Sequence, residues 1–175
     1  MATLPNNTRF PTANQVPDHS IMDLFGKQCY LGNAFTLSNA ELSLPTTAET
    51  NLVYISNPGT SKKSLFINLR RVSSSLQPVD IRYYLNPTIT VNGSAATPLN
   101  LRPANSNVSV SSCFTSPTSS AFGTLIETLG CPQSYYVVSD SSLLFILDPG
   151  NSMLMTGSAQ TATTNINSDI SWYEL

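Results

Sequence analysis

Leu65, Ile67 and Leu69 alternate with Asn68 and Arg70, and Ile81, Tyr83 and Leu85 alternate with Arg82, Tyr84 and Asn86. Side chains two positions apart share a face only in an extended chain, so these stretches read as strands with one face buried and one in water. Runs of the same kind, bounded by Pro, Gly, Asn and Ser, recur at 28–37, 52–57, 64–73, 80–86, 88–92, 107–114, 133–139, 142–147, 152–157 and 164–174. Asn57-Pro58-Gly59, Asn92-Gly93 and Asp148-Pro149-Gly150 are turn sequences, because Pro presets φ at the second turn position and Gly accepts a positive φ at the third. They are expected to reverse the chain between consecutive strands. Short strands, turn chemistry between them and no regular helical alternation predict an all-β, antiparallel two-sheet sandwich of jelly-roll type. Ile166, Ile170 and Trp172 place the last strand inside a sheet. A short helix competes only at 118–130, where Leu125, Ile126 and Leu129 have helical spacing ahead of Gly130.

Ahead of this body the chain has a different character. Pro5, Pro11 and Pro17 stand among Asn, Thr and Gln, which disfavours helix and central strand alike. Residues 1–25 are therefore expected to form an extended arm, with a flexible terminus as the alternative, and 26–175 a single β-sandwich domain. Leu4, Phe10 and Val16 are too widely spaced for an internal core and are candidate contacts with a neighbouring surface, as are Ile21, Leu24 and Phe25. Ile21, Met22, Leu24 and Phe25, closed by Gly26, form one helical turn or an anchor for the arm.

Hydrophobic residues make up 41% of the chain, enough for a core, but charged residues only 10%, against about 25% in ordinary globular proteins. The surface is thus made largely of Ser, Thr, Asn and Gln and repels other proteins weakly, as suits a chain packed in an assembly. A net charge of −2 recruits neither nucleic acid nor anionic membrane. Lys62, Lys63, Arg70, Arg71, Arg82 and Arg102 lie within one stretch and could gather on one side of the fold, a faint nucleic-acid footprint lacking interleaved aromatics.

No residue set assembles a catalytic centre. The single histidine, His19, lies in the arm beside Asp18, where no nucleophile would be held for it. Asp80, Glu127, Asp140 and Asp148 are the mid-chain carboxylates that could serve a glycosidase. Asp148 is better placed as a turn residue, and Asp140 in an SDSS loop. Cys29, Cys113 and Cys131 show no C-x-x-C spacing and are expected to be free thiols. No metal, cofactor or catalytic residue is expected. Tyr83-Tyr84 and Tyr135-Tyr136 each direct one ring outward, for cross-strand packing or for sugar contact. The first residues lack the apolar core of a signal peptide, and no apolar run reaches membrane-spanning length. Synthesis in a cytoplasm is the resulting expectation.

YLNPTITVNGSAATPLNLRPANSN at 84–107, LDPGNSMLMTG at 147–157 and the terminal ISWYEL resemble virion structural proteins of tailed bacteriophages, most of all the small head-decoration or cement proteins. The shared features are an Asn-Pro-Thr strand, a Thr-Pro-x-Asn-Leu-x-Pro connection, a Pro-Gly turn and a closing aromatic strand, covering roughly the C-terminal half. The resemblance implies a non-enzymatic protein on the capsid exterior that binds the major capsid protein and copies of itself, often as a trimer, and braces the head. A tail-fibre or receptor-binding module with a lectin-like sandwich, contacting a host glycan through tyrosines and the 115–124 loop, is the alternative.

Overall fold

The computed structural model describes residues 24–45, 48–133 and 136–175. Among the described residues one helix, α1 (Leu24–Leu31), precedes thirteen strands: β1 (Ala34–Leu44), β2 (Thr50–Ser56), β3 (Leu65–Ser74), β4 (Val79–Leu85), β5 (Thr88–Val91), β6 (Ser94–Ala96), β7 (Leu99–Asn100), β8 (Ser112–Thr115), β9 (Thr118–Ala121), β10 (Thr124–Cys131), β11 (Tyr136–Leu147), β12 (Ser152–Ala159) and β13 (Thr164–Glu174).

Eight of these strands form the body. One sheet runs β11-β3-β13-β1, with β7 added at its edge; the other runs β10-β4-β12-β2, with β8 and β6 added. Successive body strands alternate between the sheets except for β4 and β10, which pair within one sheet, and all pairings are antiparallel, which is the connectivity of a jelly roll. Between the sheets lies one core, including Phe35, Leu52, Ile55, Ile67, Ile81, Met155 and Trp172. Trp172 is fully buried on β13, which pairs with both β1 and β3.

Several connections differ from the sequence expectation. Asp148-Pro149-Gly150 does turn, with Asn151 N donating to Asp148 O at 2.9 Å and Gly150 at φ +90°, but it carries the chain across the sandwich from β11 to β12 rather than closing a hairpin. The helical turn does not stop at Gly26. It continues to Leu31, and Gly32 at φ +75° ends it, with Gly32 N bonded to Cys29 O and Asn33 N to Gln28 O. That pair of bonds satisfies two of the last free carbonyls of the helix, and only glycine takes the left-handed position cheaply. The strand expected from residue 28 accordingly begins at Ala34. The stretch 118–130, expected as a short helix or a loop, is β9 and β10 instead, and in place of two strands at 133–139 and 142–147 there is one, β11 (Tyr136–Leu147).

Two irregularities decide where charge goes. On β3, Ile67 and Leu69 face consecutive residues of β13, Trp172 and Ser171, so Asn68 is an extra residue. One added residue inverts every side chain beyond it. Leu69, expected inward, faces out; Arg70, expected in solvent, is 0% exposed in the core. On β10, Leu125 and Glu127 face Tyr84 and Tyr83, which makes Ile126 extra and turns Glu127 inward as well. Arg70 Nη2 and Glu127 Oε2 meet at 3.0 Å between the sheets, with the guanidinium 4.0 Å from the Phe145 ring centre.

Candidate assembly surface

The connection between β4 and β10 is the largest departure from a plain eight-stranded body. β5 and β6 run antiparallel to β9 and β8, so β4-β5-β6 and β8-β9-β10 form one long two-stranded ribbon. The ribbon bends at two corners, where Asn86 (φ 51°) accompanies Gly123 (φ 90°) and Gly93 (φ 85°) accompanies Ser116 (φ 50°). Asn92-Gly93 is thus a corner within the ribbon and not the expected strand reversal. A Cβ on Gly123 would lie 2.1 Å from Leu85 O, and one on Gly93 2.2 Å from Thr115 O, so the two arms approach as closely as backbones can.

These corners lift the ribbon off one edge of the second sheet and return it to the opposite edge, where β8 pairs with β2. The intervening β5–β9 segment is a strap over the outer face of that sheet. Asn51 Nδ2 on β2 donates to Pro117 O at 3.1 Å and to Ser119 Oγ at 2.9 Å, and Phe122 stacks on Tyr84 with ring centres 5.3 Å apart. Leu154, on this outer face between Tyr84 and Tyr54, is fully buried. Tyr84, expected outside, is only 8% exposed, and its hydroxyl donates to Glu49 Oε1 at 2.8 Å. Burial first and that hydrogen bond second push its hydroxyl up to about 12.

Beyond the strap, residues 97–111 cross to the other sheet, where β7 pairs with β1. Asn100 Nδ2 and Asn107 Nδ2 both donate to Gly32 O, at 2.9 and 3.2 Å. Glu174 Oε1, buried at the end of β13, accepts from Ser109 Oγ at 2.6 Å and Val110 N at 3.0 Å. The whole excursion is therefore pinned to both sheets.

Its composition separates it from the rest of the chain. From Tyr83 to Ile126 the only charged residue is Arg102, which donates to Tyr30 O and lies over the Tyr30 ring. Val91, Leu99, Val108 and Leu125 are each at least half exposed along the same stretch. Interfaces are marked by this depletion of charge more than by hydrophobicity. The uncharged run was visible in the sequence; its path over the sheet was not.

Of the candidate arm contacts, Leu4, Phe10, Val16 and Ile21 lie outside the described residues, as does His19. Leu24 is half exposed at the start of α1. Phe25 packs against Tyr173 with ring centres 6.3 Å apart, and walls a groove of about 320 Å³ over Thr36, Ser38, Arg71 and Asp169. The basic residues disperse instead of gathering: Arg70 is in the core, Arg82 pairs with Glu49 and Asp80 on the strapped face, Arg71 faces outward on the other sheet, and Lys63 pairs with Glu174. Asp80 and Glu127 lie on adjacent strands but opposite faces of their sheet, since Glu127 shares a face with Tyr83 while Asp80 shares the outer face with Arg82. Asp148 accepts from Ser64 Oγ at 2.6 Å beside its turn. Among the described residues, no group of three or more His, Cys, Asp or Glu side chains is placed to hold a metal ion.

Cys113 and Cys131 are buried and unlinked, and Cys29 is half-buried. Burial pushes the Cys113 thiol from 9.0 up to about 11, against the opposing pull of the Ser111 hydroxyl. Below about pH 9 folded and unfolded chains both hold that proton, and stability gains no slope from it. Above it the unfolded thiol ionises first, so stability is expected to fall as pH rises from about 9 to about 11. Urea midpoints measured across that range should decline, and less steeply in Cys113→Ala.

No family model matches this chain, and no curated protein matches it either. Among solved structures, a similarity is found to a chain of the T13 IBDV viral particle, at 10% identity over 81% of this chain and 39% of that one, with a TM-score of 0.18. This chain thus spans well under half the length of that one, and a score so low carries no statement about fold or role.

Proposed function

We propose that this chain is a non-enzymatic virion structural protein that binds the outer surface of an assembled capsid and braces it, as head-decoration proteins do. The observation that carries the proposal is the excursion whose only charged residue is Arg102, held against the jelly-roll body by the strap and its corner glycines. A preorganised, uncharged surface loses little entropy on docking and meets no charge repulsion, and repetition over a symmetric shell multiplies weak contacts into avidity. The resemblance to decoration proteins falls in large part on this same excursion, at 84–107. Jelly rolls also serve as lectins, and fold alone does not choose between these roles. The covering of Tyr84 by Phe122 removes one ring that a glycan reader would use.

Co-sedimentation with expanded phage heads, stripped of their own decoration protein, tests the proposal. The chain is expected to pellet with the heads and to raise the temperature at which they rupture. Saturable binding on a glycan array with no affinity for heads would reject it in favour of a receptor-binding module.

A further inference from the structure

We infer that residues 16–23, the end of the arm, dock in the groove beside α1 of the same chain and cover the outer face of the β3-β13-β1 sheet. The inference concerns the sheet opposite the strap and stands whether or not a capsid is the partner.

Where the described chain begins is the first observation. Residues 1–23 lie outside the described part. α1 starts at Leu24 against β1 and β13, and its second residue, Phe25, already walls the groove of about 320 Å³. The chain ahead of Leu24 therefore meets the groove with no linker to span. Eight extended residues reach on the order of 26 Å, about the length of eight residues of strand, so residues 16–23 are long enough to follow β1 and β13 along the face.

What the groove presents is the second. The bulge at Asn68 turns Leu69 outward, and together with Leu101 and Phe25 it gives the groove an apolar side. Arg71 is exposed there, opposite Asp169 in register, yet among the described residues no salt bridge or hydrogen bond engages its guanidinium. Residues 16–23 read Val-Pro-Asp-His-Ser-Ile-Met-Asp. Val16, Ile21 and Met22 supply apolar groups for the one side, and Asp18 and Asp23 supply carboxylates for Arg71. A chain lying across the face of a sheet meets it through side chains and needs no ladder hydrogen bonds. That suits Pro17, which has no N–H to give to a sheet edge. Tethering favours this occupant over others, since a segment joined directly to the wall of the groove acts at an effective concentration of about millimolar.

The experiment is thiol crosslinking in the full chain. Cys29→Ser removes the half-buried native thiol, and Cys113 and Cys131 are buried. In that background Ser20→Cys/Leu69→Cys and, separately, Ser20→Cys/Ser38→Cys are treated with a short bismaleimide, and linked peptides are identified by mass spectrometry. Ser38 is exposed, so its pair keeps the test open if Leu69→Cys fails to fold. Links are expected within one chain, at 18.9 kDa in denaturing electrophoresis, with a yield independent of protein concentration. Adding Arg71→Glu to the Ser38 pair sets a carboxylate against Asp18 and Asp23 and is expected to slow linking about 10-fold, with an unchanged circular dichroism spectrum. Links that join two chains and grow with concentration would assign the groove to a neighbour's arm and overturn the inference. So would folded variants that do not link, or a linking rate that Arg71→Glu leaves unchanged, which is the behaviour of a tether that only passes by. None of these outcomes touches head binding, which the co-sedimentation measures separately.

Discussion

Glu127→Ala is expected to be among the most damaging single substitutions in this chain, costing about 3–5 kcal/mol. The cost comes less from the lost ion pair than from what remains. Arg70 is fully buried, and its guanidinium is always charged, so deleting Glu127 at 3.0 Å removes the carboxylate that faces a buried cation between the sheets. The Phe145 and Tyr83 rings, at 4.0 and 5.5 Å, stay beside it, and a cation over a ring face recovers less than a carboxylate does. For a chain of this length the loss corresponds to a fall in thermal midpoint of roughly 6–20 °C. The double variant Arg70→Met/Glu127→Met is expected to recover most of it, because apolar side chains of similar volume remove both desolvation costs at once. Thermal and urea unfolding of the two singles and the double form a complete cycle. Singles that each cost under about 1 kcal/mol would show that solvent reaches the pair and that it contributes as a surface pair does.

That same pair shows what the sequence could and could not disclose. Strict alternation placed β4 correctly, with Ile81 and Tyr83 inside and Arg82 outside. On β3 the pattern held through Ile67 and then failed, because a single extra residue at Asn68 has no signature of its own. A bulge is chosen by the partner strand, and its consequence, Arg70 inward, makes sense only once a second bulge brings Glu127 inward opposite it. Neither charge alone would be tolerated there, so local reasoning puts both in solvent. Similarly, Leu125, Ile126 and Leu129 have helical spacing, but Ile126 is the extra residue of a bulge, so that Leu125 lies opposite Tyr84 on the outer face while Glu127 and Leu129 lie opposite Tyr83 and Ile81 on the inner one. Gly26 misplaced the end of α1, since a glycine inside a helix costs only about 1 kcal/mol, whereas Gly32 has the positive φ that stops it. The candidate surface divides in the same way. Its lack of charge is a property of composition and could be read directly. Its path depends on pairing between residues far apart in the chain, which local spacing does not encode.

The corners that set this path can be tested by ranking three glycines. Gly59 has no positive φ, and nothing lies within 4 Å of where its Cβ would be, so Gly59→Ala is expected to change stability by less than about 1 kcal/mol, with a stabilising sign. Gly150 stands at φ +90° in open space, so Gly150→Ala meets backbone strain alone, about 1 kcal/mol. Gly123 has the same φ, but its Cβ would meet Leu85 O at 2.1 Å, and a backbone carbonyl in a paired strand cannot rotate aside as a flexible side chain can. Gly123→Ala is therefore expected to cost the most of the three, about 2–4 kcal/mol from strain and clash together. The damage should also have a location. Opening the corner releases the ribbon and with it the Phe122–Tyr84 stack, while the core around Trp172 keeps its contacts. Amide exchange is expected to accelerate first in the strap and in β12 beneath it, before any change in tryptophan fluorescence. Equal costs for Gly123→Ala and Gly150→Ala would mean that the arms of the ribbon can separate without penalty, and that the strap is not held by its corners.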